Sequence, residues 1–543
     1  MEDEKITSKK KNGVVFTPYD LGNFIAEGII SRLKIIDQVR VIEPSVGDGQ
    51  LLRALLDLLI KEGIKSISVT AFDINDEYIK KCELLFNSSY PNIEFNFKKQ
   101  DFLEYALTEA DKYFDVMIAN PPYVRTQNLD KKIMVLANEK LGMGGKVDLY
   151  QLFIKVSEKV MNDNGIIGIV VSNKFLSNKT GKDLRTYLSE FHKPDEIIDF
   201  GDTKLFKAAV LPCVMFFNGN IDKSLTTKYT SIYSSQDAKE TGTYDIFTAL
   251  KTSLDFGFIG EQQFTIKRGV LKVVDNYDWI LSNDDSDSFL ELVDKNTSSR
   301  FKDVSKIRVG IKTTADNVFI SNSWSQLGNK KPELLYPLIT HHIAGQIKPT
   351  GKPVYDVLYP YDFSCDARKV VDIDSFPNTK EYLEKNYDQL NSRKYVVESN
   401  KKWFEIWVPH TPKAWKKEKI VFRDISEHPN FWYDEGFAIV NGDCYWIDLN
   451  DGLEEDLIWL MLGVANTKFI TEYYDLKFNN KLYSNRRRYM SQYVEQFPIP
   501  DINKKESKEI IRLSKEVYIS NIDASDKLII IDTLVREVFS QKN

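Results

Sequence analysis

The chain has 543 residues, 42% of them hydrophobic and 28% charged, and carries a formal net charge of −6. That length exceeds one hydrophobic core and predicts two or three domains of an ordinary soluble globular protein. No segment reaches the apolar length of a membrane span, the acidic start Met1-Glu2-Asp3-Glu4-Lys5 is unlike a secretory signal, and the charge excludes a uniformly basic nucleic-acid binder while leaving room for a local basic groove. A cytoplasmic location is the default expectation. Cys82, Cys213, Cys365 and Cys444 are scattered, with no Cys-x-x-Cys pair and no histidine at metal spacing, so they read as reduced thiols and no metal is expected.

In chain order, Phe16-Thr17-Pro18-Tyr19 precedes Leu21, Phe24, Ile25, Ile29 and Ile30 at helical spacing, which predicts a helix with Thr17 as N-cap and Pro18 in its first turn. A strand over Val39 to Ile42 runs into Glu43-Pro44-Ser45-Val46-Gly47-Asp48-Gly49-Gln50, and a leucine-faced helix follows. Glycines between a strand and a helix let the backbone turn tightly beside a ligand. This is neither the dinucleotide pattern, because Leu52 stands at its third glycine, nor a phosphate loop. A second strand, Ile67 to Phe72, ends in Asp73, 24 residues past Gly49, close to where an acid at a strand end accepts ribose hydroxyls. A third strand near Ile93 to Phe97 leads to Gln100-Asp101-Phe102, an acid and a ring that could hold an adenine.

The fourth strand, Val116 to Ala119, stops at Asn120-Pro121-Pro122-Tyr123. Proline cannot donate to a ladder and disfavours helix before it, so the strand end is pinned open. There the Asn120 amide oxygen and the Pro121 carbonyl are two acceptors beside the flat face of Tyr123, which suits a planar group bearing an NH2. A loop with Gly142, Gly144 and Gly145 follows, then a helix opened by Asp148-Leu149-Tyr150 and carrying Phe153. Strands at Gly165 to Val171, Ile197 to Phe200 and Val214 to Phe217 complete a tally of seven, with Leu205-Phe206-Lys207 in the last connection. Strands alternating with amphipathic helices predict an open, mainly parallel α/β sheet with its site at the strands' carboxyl ends.

These motifs, in this order and at strand ends, resemble the gamma-type N6-adenine DNA methyltransferases, and the whole chain is similar to their TaqI-like branch with a C-terminal specificity domain. The resemblance implies a seven-stranded doubly wound (Rossmann-like) methyltransferase domain followed by an α+β DNA target-recognition domain, with S-adenosylmethionine as cofactor. It places Phe16, Thr17 and Pro18 near the cofactor's methionine part and Glu43, Pro44, Ser45, Gly47 and Gly49 in the cofactor loop. Asp73 with Ile74 falls at the ribose, Asp101 and Phe102 at the cofactor adenine, and Phe153 on that adenine's other face. Asn120, Pro121, Pro122 and Tyr123 match the catalytic motif, and Phe206 the aromatic that packs on the flipped base opposite the tyrosine. The implied reaction transfers a methyl group to the N6 amino group of an adenine flipped from duplex DNA, by a monomeric modification enzyme of a restriction–modification system or an orphan methyltransferase, with any restriction endonuclease encoded separately.

The expected division is a catalytic domain over 1–230, a linker with peripheral elements over 231–300, target recognition over 301–500 and a helical tail over 501–543. Residues 301 to 500 interleave rings with cations: Arg308 and Lys312; Lys402 and Trp403; Lys413, Trp415 and Lys416; then Lys481 with Arg486, Arg487 and Arg488. Such clusters can neutralise phosphates and carry base-reading side chains, or can be solvated surface. Two rival readings share the Asn-Pro-Pro-Tyr site, a methyltransferase of protein glutamine or structured RNA and a non-catalytic DNA-recognition subunit. The acids around Asp501 and Glu506 imitate a nuclease motif at a spacing too short to serve as one.

Overall fold

The computed structural model describes residues 16–541 except 35–36, 110, 124–134, 136–137, 143–147, 207–209, 219–225, 236–243, 275–277, 366, 400, 437, 479–481, 483–485 and 521–523. The described chain forms two compact units, one running to Ser286 and the other beginning at Asp287.

The first unit is a mixed α/β structure. Its strands are β1 (Gln38–Glu43), β2 (Ser66–Asp73), β3 (Glu94–Lys99), β4 (Phe114–Ala119), β5 (Met161–Ser172), β6 (Glu196–Asp199), β7 (Pro212–Asn218), β8 (Lys228–Ser234), β9 (Phe256–Ile259), β10 (Gln262–Val274) and β11 (Asp278–Ser282). They form one eleven-stranded sheet in the order 11-10-8-6-7-5-4-1-2-3, with β9 added to β10. β3, β2, β1, β4 and β5 are parallel, and β7 runs against both β5 and β6. The order reverses between β1 and β4, so their carboxyl ends diverge into a crevice, the usual ligand position in such sheets.

Burial on both faces explains the continuous apolar runs of the central strands. In β4, Val116 and Ile118 pack into a cluster with Leu21, Ile25 and Ile29 of α1 (Tyr19–Ile30) and the leucines of α2 (Gln50–Lys61). Met117 and Ala119 face the opposite cluster, with Phe102 of α4 (Phe102–Thr108) and Leu152 and Phe153 of α5 (Leu149–Val160); α3 (Asp76–Ser89) links β2 to β3.

Two local expectations change. The first helix begins one residue later than predicted: Pro18 is its N-cap and Thr17 lies outside it, because that hydroxyl is used elsewhere. The sheet also continues past the predicted seven strands. β8 to β11 fall where linker and peripheral elements were expected, and β8 pairs in parallel with β6.

The second unit is α+β. Ser305–Val309, Cys444–Leu449, Lys419–Arg423 and Phe431–Asp434 make one antiparallel sheet, and a second four-stranded sheet includes Leu335–Ile339 and Tyr355–Leu358. Trp415, Trp432 and Trp446 are buried together in its core, so Trp415, which the sequence places in a cluster of lysines that could meet DNA or solvent, contributes packing. Helices Lys505–Ile519 and Ser525–Ser540, predicted as a tail, pack on Asp456–Ala465. Among the described residues no helix is long and apolar enough to cross a membrane.

Candidate active site

β1 delivers Glu43 to the crevice, and the chain turns at once. Val46 donates its N–H to the Phe72 carbonyl at the end of β2 (2.8 Å), and Gly47 and Gly49 take left-handed φ values of +53° and +81°. A Cβ on Gly49 would meet the Phe86 ring at 2.6 Å and Cys82 Sγ at 3.2 Å, so conformation and packing both require glycine there. The loop is held by Asp73, whose carboxylate accepts from Gly47 N–H (3.0 Å) and Asn75 N–H (2.8 Å). Phe16 lies over Gly47 and meets Tyr78 edge to face.

This pocket is acidic. Glu43 is 1% exposed, and one of its carboxylate oxygens has no hydrogen-bond partner among the described residues. Burial pushes its carboxyl well above the usual range, and the charges of Asp48 and Asp73 add to the effect. Asp73 is also raised by burial, opposed by the N–H groups of Asn75 and Gly47.

At the end of β4 three segments converge on Asn120. Its side-chain Nδ2 donates to Thr17 Oγ1 at 3.0 Å, and Ser45 Oγ donates to its backbone carbonyl at 3.0 Å. Spending the amide nitrogen on Thr17 sets the amide oxygen as the accepting edge. Pro121 is buried behind it. Tyr123 packs on the α5 side of the sheet, its hydroxyl buried without a partner among the described residues and raised by burial, with Cys213 a lesser cause. Its ring stands 6.5 Å from that of Phe206, edge to face at 61°.

Asp101 caps α4, accepting from Leu103 N–H at 2.8 Å. Phe102 and Phe153 are buried in direct ring contact at 5.3 Å, so they form one wall, while Ile74 after Asp73 is 65% exposed. In this arrangement the two rings leave no room for a planar group between them, in contrast to the expectation that Phe102 and Phe153 lie on opposite faces of one.

In the second unit the predicted cations separate into two kinds. Arg308, at the end of its strand, lies 5.0 Å over the Trp446 ring and reaches Asp448 at 3.1 Å. It lines a cleft with Phe363, Arg368, His410, Lys413, Lys416 and Lys417. Lys312, Lys402 and Arg486 are exposed, and Trp403 is half-buried against Tyr387 and Phe404. Arg487 is different: it is 4% exposed and makes a two-pronged ion pair with Asp475 (2.8 and 2.7 Å), so it holds the fold and does not face phosphate. Arg488 pairs with Asp424 but remains 49% exposed, so unlike Arg487 it still faces solvent. Lys481, Gly144, Gly145 and Lys207 lie outside the described residues.

Residues 48–206 match the family described as Eco57I restriction-modification methylase, and residues 371–499 match the TaqI-like C-terminal specificity domain. The type II methyltransferase M.BanIII of Aneurinibacillus aneurinilyticus is 33% identical over 557 aligned residues, covering 97% of this chain and 96% of that protein. The chain belongs to the type II DNA methyltransferases of restriction–modification systems, in their TaqI-like, N6-adenine-specific family. M.BstVI of Geobacillus stearothermophilus, 25% identical, covers 96% of both chains. A solved DrdV–DNA complex shares the fold, with a TM-score of 0.53 at 11% identity over 94% of this chain and 57% of that longer one. Family membership sets aside the protein and RNA rivals and the non-catalytic reading.

For this methyltransferase, sequence reasoning did not anticipate that Thr17 and Ser45 secure Asn120, or that Arg368 and Phe363 join the cleft of Arg308. Thr17 reads naturally as a helix cap, and Arg368 sits in a stretch with no periodic signal. Only the fold brings each to its partners.

Proposed function

We propose that S-adenosylmethionine is the methyl donor, that the acceptor is an adenine turned out of duplex DNA, and that the residues described above carry the reaction. In this reading β1 to β7 with their helices are a doubly wound catalytic domain and residues 301–500 recognise the target. The observation that carries the proposal is Asn120 held by Thr17 and Ser45 at the open end of β4.

The cofactor supplies an electrophilic methyl group. The residues present fit it: a buried Glu43 oxygen without a partner among the described residues, beside Asp48 and Asp73, suits a ligand with cationic groups and hydroxyl donors. Glu43, Pro44, Ser45, Gly47 and Gly49 with Phe16, Thr17 and Pro18 would hold its amino-acid end. Asp73 would accept from the ribose, and Ile74, Asp101, Phe102 and Phe153 would border its base. The amide oxygen of Asn120 and the Pro121 carbonyl accept from the two protons of the target amino group, which draws its nitrogen toward tetrahedral geometry and aims its lone pair. Pro122 stiffens the turn. Tyr123 and Phe206 offer faces to the extruded base, whose removal from the stack costs a few kcal/mol. A base between two rings needs roughly 7 Å between parallel faces, so one of these edge-to-face rings turns as the base enters.

The direct test is sequencing of modified adenines in DNA from a host expressing the protein. N6-methylation at one short motif is expected; unmodified DNA beside methylated protein or RNA would refute the reading.

Two further results are expected. A carboxyl raised above its unfolded value, as Glu43 is, stabilises the fold fully below the ordinary value of 4.5, and that contribution is lost as pH rises through its folded pKa. A cationic ligand favours the carboxylate, so cofactor binding should release protons and tighten with rising pH. Calorimetry in buffers of different ionisation enthalpy measures this, and proton uptake would remove Glu43 from the site. On the DNA side, Arg308→Ala and Lys416→Ala should each lower the slope of log affinity against log salt by about one, whereas Arg487→Ala should lower thermal stability instead.

A further inference from the structure

The connection carrying Phe206 is tied down by an arrangement that neither the reaction nor the minimal sheet requires. Asp199, at the carboxyl end of β6, is 0% exposed. One of its oxygens accepts from Asn173 Nδ2 and Gly201 N–H, both at 2.9 Å, and the other from the Tyr233 hydroxyl at 2.9 Å. Three residues on, buried Asp202 accepts from the N–H and hydroxyl of Ser234, at 2.8 and 2.6 Å. Phe200 N–H donates to the Pro212 carbonyl at 2.9 Å and closes the base of the connection.

The backbone between these ties is forced. Gly201 has φ +46°, and a Cβ there would collide with the Ile232 carbonyl oxygen. Lys204 takes φ +53°, two residues before Phe206. A non-glycine residue held in this region signals an over-determined loop. Both tyrosine and serine come from β8, the strand added beyond the predicted seven. That extension places two hydroxyl donors beside the two acids that precede Phe206.

We propose that Tyr233 and Ser234, acting through Asp199 and Asp202, are positioning residues that hold Phe206 where it receives the extruded adenine. The proposal rests on the reading of Phe206 as a stacking partner. A loop free to wander would present its ring only part of the time, and the extruded state would be populated less by that fraction. The defect belongs to base extrusion, and cofactor binding is untouched.

Tyr233→Phe removes a single oxygen from a buried ring and tests this. The substrate is a synthetic duplex centred on the adenine found methylated in the host, with 2-aminopurine in its place for fluorescence. Expected are a smaller fluorescence rise on binding, a roughly three- to tenfold lower kcat on the paired duplex, unchanged cofactor Kd, and near-full recovery of rate when the target adenine faces an abasic site. A merely structural defect would lower both rates equally, and that result, or an unchanged fluorescence rise, overturns the proposal. If Tyr233→Phe also loses cofactor binding, Ser234→Ala is judged by the same criteria. Phe206→Ala separates the two readings. If it leaves fluorescence and rate unaltered, the stacking role fails; if it lowers both while Tyr233→Phe and Ser234→Ala do not, only the positioning role fails.

Discussion

Asn120→Ala is expected to lower methyl transfer by at least roughly 10²- to 10³-fold, the cost of losing a preorganised polar group at the reacting centre. The direction of the side-chain acceptor is set from outside its own strand, by the Thr17 hydroxyl oxygen that takes the amide N–H at 3.0 Å. Alanine removes that acceptor and leaves the backbone carbonyl, still held by Ser45, in place. Affinity for the cofactor, measured by calorimetry, should change little, because the glycine loop and Asp73 make no use of the amide. A variant retaining the parent rate would remove Asn120 from the chemistry. Asn120→Asp is a useful companion: it keeps the acceptor, and its second oxygen can accept from the Thr17 hydroxyl in place of the amide's donation, so it tests whether a neutral amide is needed.

Asp73→Ala should raise the cofactor Kd by roughly ten- to a hundredfold, as expected for a charge-assisted pair of hydrogen bonds. Two losses combine here. The carboxylate would no longer accept from the ribose, and it would no longer hold Gly47 N–H, which it does at 3.0 Å. Asp73→Asn keeps one acceptor oxygen for the loop and should fall between parent and alanine. The rate at saturating cofactor should be largely retained in both. Unchanged binding would dismiss the ribose role, and a collapsed rate at saturation would show that the loop matters for alignment as well.

Of the first seven strands, β1, β2 and β4 were legible as short, largely buried apolar runs ended by an acid or stopped by proline, whereas β3, with no buried residue, was legible only from its alternating phenylalanines. Asp73 was found by spacing and Asn120 by its proline-stopped strand. What escaped depends on contacts distant in sequence. β10 alternates buried Phe264 and Ile266 with polar residues, and its cations and Gly269 made it read as linker. Arg487 looked like part of a phosphate-binding run because its partner Asp475 lies on a separate helix, and Trp415 sits among lysines in the sequence although the core encloses it. Charge patterning along a chain shows where cations cluster, not which are already neutralised.

Cys82, wedged beneath Gly49, adds a practical consequence. Its sulfur lies 3.6 Å from the Gly47 carbonyl, and burial pushes its pKa to about 12. Thiolate, the species that alkylating reagents attack, is therefore scarce while the turn stays shut. The pace at which such a reagent consumes this thiol reports how often the bend from Gly47 to Gly49 breathes open.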